Sequence, residues 1–144
     1  MSRSGYTEDG DMENWQLIRW RGQVASAIRG KRGQAFLREL VEALDAMPEK
    51  RLIAKDLEHA GNVCAIGAVG VARGQDMSAL DVYDYDQIAS TFGIAHQLVQ
   101  EIEWENDQYI EWDIETSRII ENPEGRWRYM RAWAISQLKP ENHP

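Results

Sequence analysis

Only one cysteine, Cys64, occurs among the 144 residues, which excludes an intrachain disulfide framework and any multi-cysteine zinc site. No apolar run approaches the roughly 18 residues that a membrane span requires. The opening MSRSGYTEDGD has no apolar stretch, so a secretory signal is not expected and a cytoplasmic location is. Cations are in deficit, with 16 Lys and Arg against 24 Asp and Glu, a formal net charge of −8. That balance excludes a uniformly basic nucleic-acid coat. What the chain does have is apolar content, at 43%, and six tryptophans. These suffice for a core in a single domain of ordinary size.

The apolar spacing is that of helices. Residues 1–13 are polar and read as a disordered leader, leaving 14–144 as one compact domain. From Asn14 a helix is predicted on Trp15, Leu17, Ile18, Val24, Ala25 and Ile28, broken at Gly30 and Gly33. A second runs from about Gln34 to Met47 with Phe36, Leu37, Leu40, Val41 and Leu44 on one face, and Pro48 ends it. The two should form an antiparallel pair. Leu52, Ile53 and Leu57 fit either a short strand or a helical turn. Residues 62–72 read as a buried helix capped by Asn62, with Gly67 and Gly70 admitting a neighbouring helix. Further helices are predicted over about 84–91, 95–106 and, opened by Asn122-Pro123, to about Leu138. Residues 107–121 fit no element firmly. The fold class is mainly α, a compact single-domain helical bundle.

Residues 86–102 resemble a helix-turn-helix at the positions that define its bend. Ala89 is the small residue at the contact, Gly93 follows four later at the turn, and Val99 and Ile102 take later apolar slots. The outward positions of the second helix would be Ala95, His96, Gln97, Gln100 and Glu101. Gln can pair with adenine and Glu with cytosine. Yet this helix lacks Lys and Arg, and Glu101, Glu103, Glu105 and Asp107 would oppose phosphate. Two packed helices without nucleic acid are therefore the plainer expectation for 86–106.

Charge is divided along the chain. Residues 76–125 hold 13 acidic side chains and one basic, Arg118, whereas residues 19–38 contain Arg19, Arg21, Arg29, Lys31, Arg32 and Arg38 with no acid. Such runs are ordinarily solvated faces. The functional counterpart is an acidic lobe that docks on a basic groove, its field steering association. That lobe would comprise Glu101, Glu103, Glu105, Asp107, Glu111, Asp113 and Glu115. The competing assignment is a DNA-binding regulator, with His96, Gln97 and Gln100 as readers and Arg29, Lys31 and Arg32 on phosphates. Catalysis is not expected. Cys64 sits in the most apolar segment, and His59, His96 and His143 are isolated from one another in sequence. Asp81-x-x-Asp84-x-Asp86 lacks the glycine and terminal glutamate of a calcium loop, and no glycine pair forms a nucleotide fingerprint. Neither metal nor cofactor is expected.

The run Val63-Cys64-Ala65-Ile66-Gly67-Ala68, followed about 40 residues on by Trp104-Glu105-Asn106-Asp107, is similar to small uncharacterised proteins of temperate phages and prophages, which share a Cys-x-x-Gly-Ala segment and a later Asn-Asp. Arg29-Gly30-Lys31-Arg32-Gly33-Gln34 and the final Trp127…Trp133 helix extend the resemblance over most of the chain. It implies a genomic setting and no catalytic residue. In that setting the expected partner is a bacterial host protein with a basic surface, and the sharper expectation is an anti-CRISPR or anti-restriction inhibitor. Six tryptophans also leave room for an aromatic patch and a homodimer.

Overall fold

Local caps and apolar stripes set most of the helices. The computed structural model describes residues 3–6 and 14–140. Its order is α1 (Asn14–Arg29), α2 (Lys31–Ala46), β1 (Glu58–His59), β2 (Asn62–Val63), α3 (Ala65–Ala72), α4 (Tyr85–Phe92), α5 (His96–Gln108), β3 (Glu111–Asp113), β4 (Arg118–Ile120) and α6 (Pro123–Gln137). The strands form two separate antiparallel pairs, β1 with β2 and β3 with β4. The chain is mainly α. Among the described residues no helix is long and apolar enough to cross a membrane.

Asp84 caps α4 by accepting the Gln87 amide at 3.0 Å, and Asn122 caps α6 by accepting that of Gly125 at 2.8 Å. Gly93 ends α4 in the left-handed region at φ 74°, the conformation that lets the chain turn into α5. The expected helix pair is thus present. The joint between α1 and α2 is narrower than a Gly30–Gly33 turn, because α2 already begins at Lys31 and Gly33 lies inside it. Asn62 is not a cap. It belongs to β2 and accepts from Arg51 at 3.2 Å, while Cys64 caps α3 by accepting the Gly67 amide at 3.4 Å. Gly67 does admit a neighbour, but the neighbour is the Leu57 carbonyl rather than a helix, and Gly70 faces the Met77 thioether.

The core joins Phe36, Leu37, Leu40 and Leu44 of α2 to Ile66 and Val69 of α3, Leu98, Val99 and Ile102 of α5, and Met130 and Ala134 of α6. α5 is the central element, packed against α1, α3, α4 and α6. Leu52–Leu57 is irregular, tied by Leu52 N–H to Pro123 O at 3.0 Å and Ile53 N–H to Val63 O at 2.9 Å. The buried Gln34 amide latches the far end of α6, donating to Gln137 O at 3.0 Å and accepting from Lys139 N–H at 2.8 Å. Of the stretch read as a leader, residues 1, 2 and 7–13 lie outside the described residues. Arg3 and Ser4 are buried, so residues 3–6 are part of the packed structure.

Candidate functional site

The acidic row of α5 points inward. Glu101, Glu103 and Glu105 are all buried, which corrects their expected place on an exposed docking lobe. The reason is the central position of α5, whose polar positions meet neighbours on every side. Each buried carboxylate would be costly without a partner, and Glu101 and Glu105 find theirs largely in distant sequence. Glu101 takes a two-pronged guanidinium from Arg21 of α1, at 2.7 and 2.8 Å, and the Tyr6 hydroxyl at 2.9 Å. Glu105 accepts from the Tyr129 hydroxyl and from Gln108 at 3.2 Å. Burial, together with Glu105, pushes the Tyr129 hydroxyl up to about 12.

Arg3 occupies the middle of this row. Its guanidinium donates to both oxygens of Asp107, at 2.6 and 2.8 Å, and to the Cys64 thiol at 3.6 Å. Glu103 Oε2 lies 3.3 Å from Arg3 Nε, yet the Nε–H is directed at Asp107, and neither Glu103 oxygen accepts a hydrogen bond. Glu103 has 0% of its side chain exposed. Burial raises its carboxyl to about 8, against the pull of Arg3 and with the push of Asp107. Burial opposes the charge of Arg3, but Cys64, Asp107 and Glu103 together hold its pKa above the ordinary value. Burial also raises the Cys64 thiol, opposed by Arg3. Asn106 locks the neighbourhood: its Oδ1 accepts the Ala65 amide at 3.0 Å and its Nδ2 donates to Ile53 O at 2.9 Å. Cys64 is thus a buried helix cap facing a guanidinium. No histidine touches it among the contacts described.

The proposed DNA readers are tied into the fold. His96 Nδ1 and Gln100 Oε1 are 3.0 Å apart, Gln100 Nε2 donates to Ser4 O at 2.9 Å, and Gln97 donates to Gln23 of α1 at 3.3 Å. The His96 ring also packs on Trp20, 6.1 Å between centroids. In front of them lies an open recess of about 440 Å³ lined by Asp81, Asp84 and Asp86, a sign opposite to that needed for phosphate. Arg29, Lys31 and Arg32 are exposed at the α1–α2 joint. The structure therefore brings the readers together, but against α1, and keeps the cations on another element. Among the described residues no group of three or more His, Cys, Asp or Glu side chains could hold a metal ion.

The remaining acids of the expected lobe lie on the β3–β4 hairpin. Register pairs Glu111 with Ile120, Trp112 with Ile119, and Asp113 with Arg118. Alternation along the strands then puts Trp112 and Ile119 on one face, in phase with Ile110 and Ile114. That face is uncovered: Trp112 is 61% exposed, Ile119 57% and Ile114 92%. Glu111 anchors the hairpin base, accepting from Tyr109 and, at 2.9 Å, from Asn122. These two hydrogen bonds lower its pKa, Tyr109 contributing the larger part. Asp113 accepts the Glu115 amide at 3.0 Å in the turn, and Glu115 is exposed. Of the seven acids, then, four face inward onto the chain's own groups, two shape the hairpin and Glu115 is free to face a partner. Sequence reasoning missed Arg3, Tyr6, Trp112, Ile114 and Ile119. The isoleucines and Trp112 did alternate with polar residues over 110–114, a strand signal in a segment that fitted no element firmly.

Compared with protein-family models, curated proteins and solved structures, the chain matches none.

Proposed function

We propose that this is a non-catalytic binding protein that docks on another protein through the β3–β4 hairpin. The observation that carries the reading is the uncovered apolar face of Trp112, Ile114 and Ile119. A two-stranded hairpin is marginally stable by itself, and large apolar side chains displayed on one mark interaction surfaces. Trp is also the residue type most enriched at binding hot spots. Glu115, exposed in the turn next to Ile114, is the lobe acid left to meet a partner, so the fitting partner is apolar at its centre with a cation at its rim. With the phage setting that the sequence resemblance implies, the partner is a bacterial host protein and the effect is inhibition of a host defence.

Trp112→Ser combined with Ile114→Asp should abolish capture of the partner that the parent chain retains. Its melting temperature should stay within roughly 2 °C of the parent, because neither side chain is buried. Affinity pull-down with both proteins, followed by calorimetry on the partner recovered, reads this out. Equal capture by the variant would sink the hairpin as the docking face.

A further inference from the structure

Residues 3–6 sit on α5 as a bound peptide sits on a receptor. The Arg3 side chain is 2% exposed, with its guanidinium between the Asp107 carboxylate and the Cys64 thiol. Gln100 reads the backbone by donating to Ser4 O at 2.9 Å. Gly5 turns at φ 79°, where an added Cβ would come within 3.0 Å of the Tyr85 hydroxyl and 3.2 Å of Gln100 Nε2. Tyr6 then seats its ring against Trp20 and Trp104, at centroid distances of 6.0 and 5.7 Å. Its hydroxyl accepts from Trp20 Nε1 at 2.8 Å and donates to Glu101.

The slot has more capacity than Arg3 uses. Glu103 is fully buried beside the guanidinium, and both of its oxygens lack a hydrogen bond. Glu103 keeps acceptor lone pairs even when it carries its proton, and a guanidinium can donate five hydrogen bonds, of which the contacts described use three. A buried acceptor left open costs stability, and Glu103 Oε2 lies only 3.3 Å from Arg3 Nε, so the slot fits a guanidinium turned towards Glu103 as well as Asp107.

We propose that this slot is a binding site for an arginine-bearing peptide segment of another protein, and that residues 3–6 are its resident occupant. The site works by exchange. The Arg-Ser-Gly-Tyr segment leaves, and the partner's arginine enters between Asp107, Glu103 and Cys64. The tethered occupant competes at high effective concentration, so binding in trans requires its displacement. This site is independent of the hairpin and stands or falls separately.

The test uses the full chain carrying Arg3→Ala, titrated by calorimetry with acetyl-Arg-Ser-Gly-Tyr-amide. The same peptide with citrulline in place of arginine and free arginine amide are the comparison ligands. The expected result is saturable binding to Arg3→Ala at least about tenfold tighter than to the parent chain. The citrulline peptide and arginine amide should each bind at least about tenfold more weakly. Equal affinity for the citrulline peptide removes the guanidinium from the proposal and overturns it. Equal affinity of parent and variant places the peptide elsewhere and also overturns it, and arginine amide binding as well as the peptide overturns the peptide class. If Arg3→Ala fails to fold, Gly5→Ala replaces it, since that change strains the resident segment at its positive φ and leaves Cys64, Glu103 and Asp107 unaltered. The same comparisons then apply, and absence of binding to Gly5→Ala refutes the site.

Discussion

Glu103 is a carboxylic acid that the fold holds protonated through much of the neutral range. Its folded pKa of about 8 stands above the ordinary 4.5, so the folded chain keeps a proton that the unfolded chain gives up. Stability is therefore greatest below about pH 4.5, as far as this group decides it. It falls as pH rises towards 8, by at most about 1.4 kcal/mol per unit, and levels off above. Glu103→Gln keeps the shape and removes the titration. Urea midpoints at about pH 5, 6.5 and 8 should converge in the variant relative to the parent, and an unchanged pH profile would show that Glu103 is ionised throughout. The partners of this row are what made it illegible. Glu101 and Arg21 lie 80 residues apart, and Arg3 and Asp107 lie 104 apart. A local reading sees acids at every second position from Glu101 to Asp107 without a cation and assigns them to solvent. The acid-free run of residues 19–38 was the compensating signal, and Arg21 is the part of it that answers.

Elements whose decisive contacts are local were legible. Asp84 caps within three residues, Asn122 likewise, and the stripe of α2 is an unbroken 3.6 period, so those helices fall where the pattern puts them except that α2 begins three residues early, at Lys31. The short β1–β2 pair was not, because strands of two residues carry too little alternation to count, and the β3–β4 hairpin left only the five-residue alternation of 110–114 as its signal. α3 is intermediate: a helix was expected, but its cap is Cys64 rather than Asn62, and its neighbour is set by a tertiary contact. Gly67 is the clearest case. A Cβ there collides with the Leu57 carbonyl, which is backbone and cannot swing away. Gly67→Ala should cost about 3 kcal/mol despite the better helix propensity of alanine. Gly70→Ala meets only the flexible end of Met77 and should stay within about 1 kcal/mol of the parent. Chemical denaturation of both variants checks the contrast, and equal losses would contradict the close approach at Gly67.

Over the whole molecule, charge is sorted by what it touches more than by where it falls in sequence. Glu101 and Asp107 of α5 pair with the chain's own Arg21 and Arg3, whereas Arg29, Lys31 and Arg32 remain at the surface. The nucleic-acid reading rests on those three alone, on a chain of net charge −8. Fluorescence anisotropy of labelled duplex DNA should stay flat at low salt; binding with a log–log salt slope of several units would instead make the α1–α2 joint a nucleic-acid interface. The Gln34 latch on residues 137 and 139 bears on how the chain is made. Lys139 leaves the ribosome 105 residues after Gln34. At synthesis rates of about 5–20 residues per second, that interval is roughly 5–20 s. Throughout it α2 has α3 to pack against but lacks the completed α6. A translation stall after α5 would thus leave the α6-facing side of α2 open to other chains.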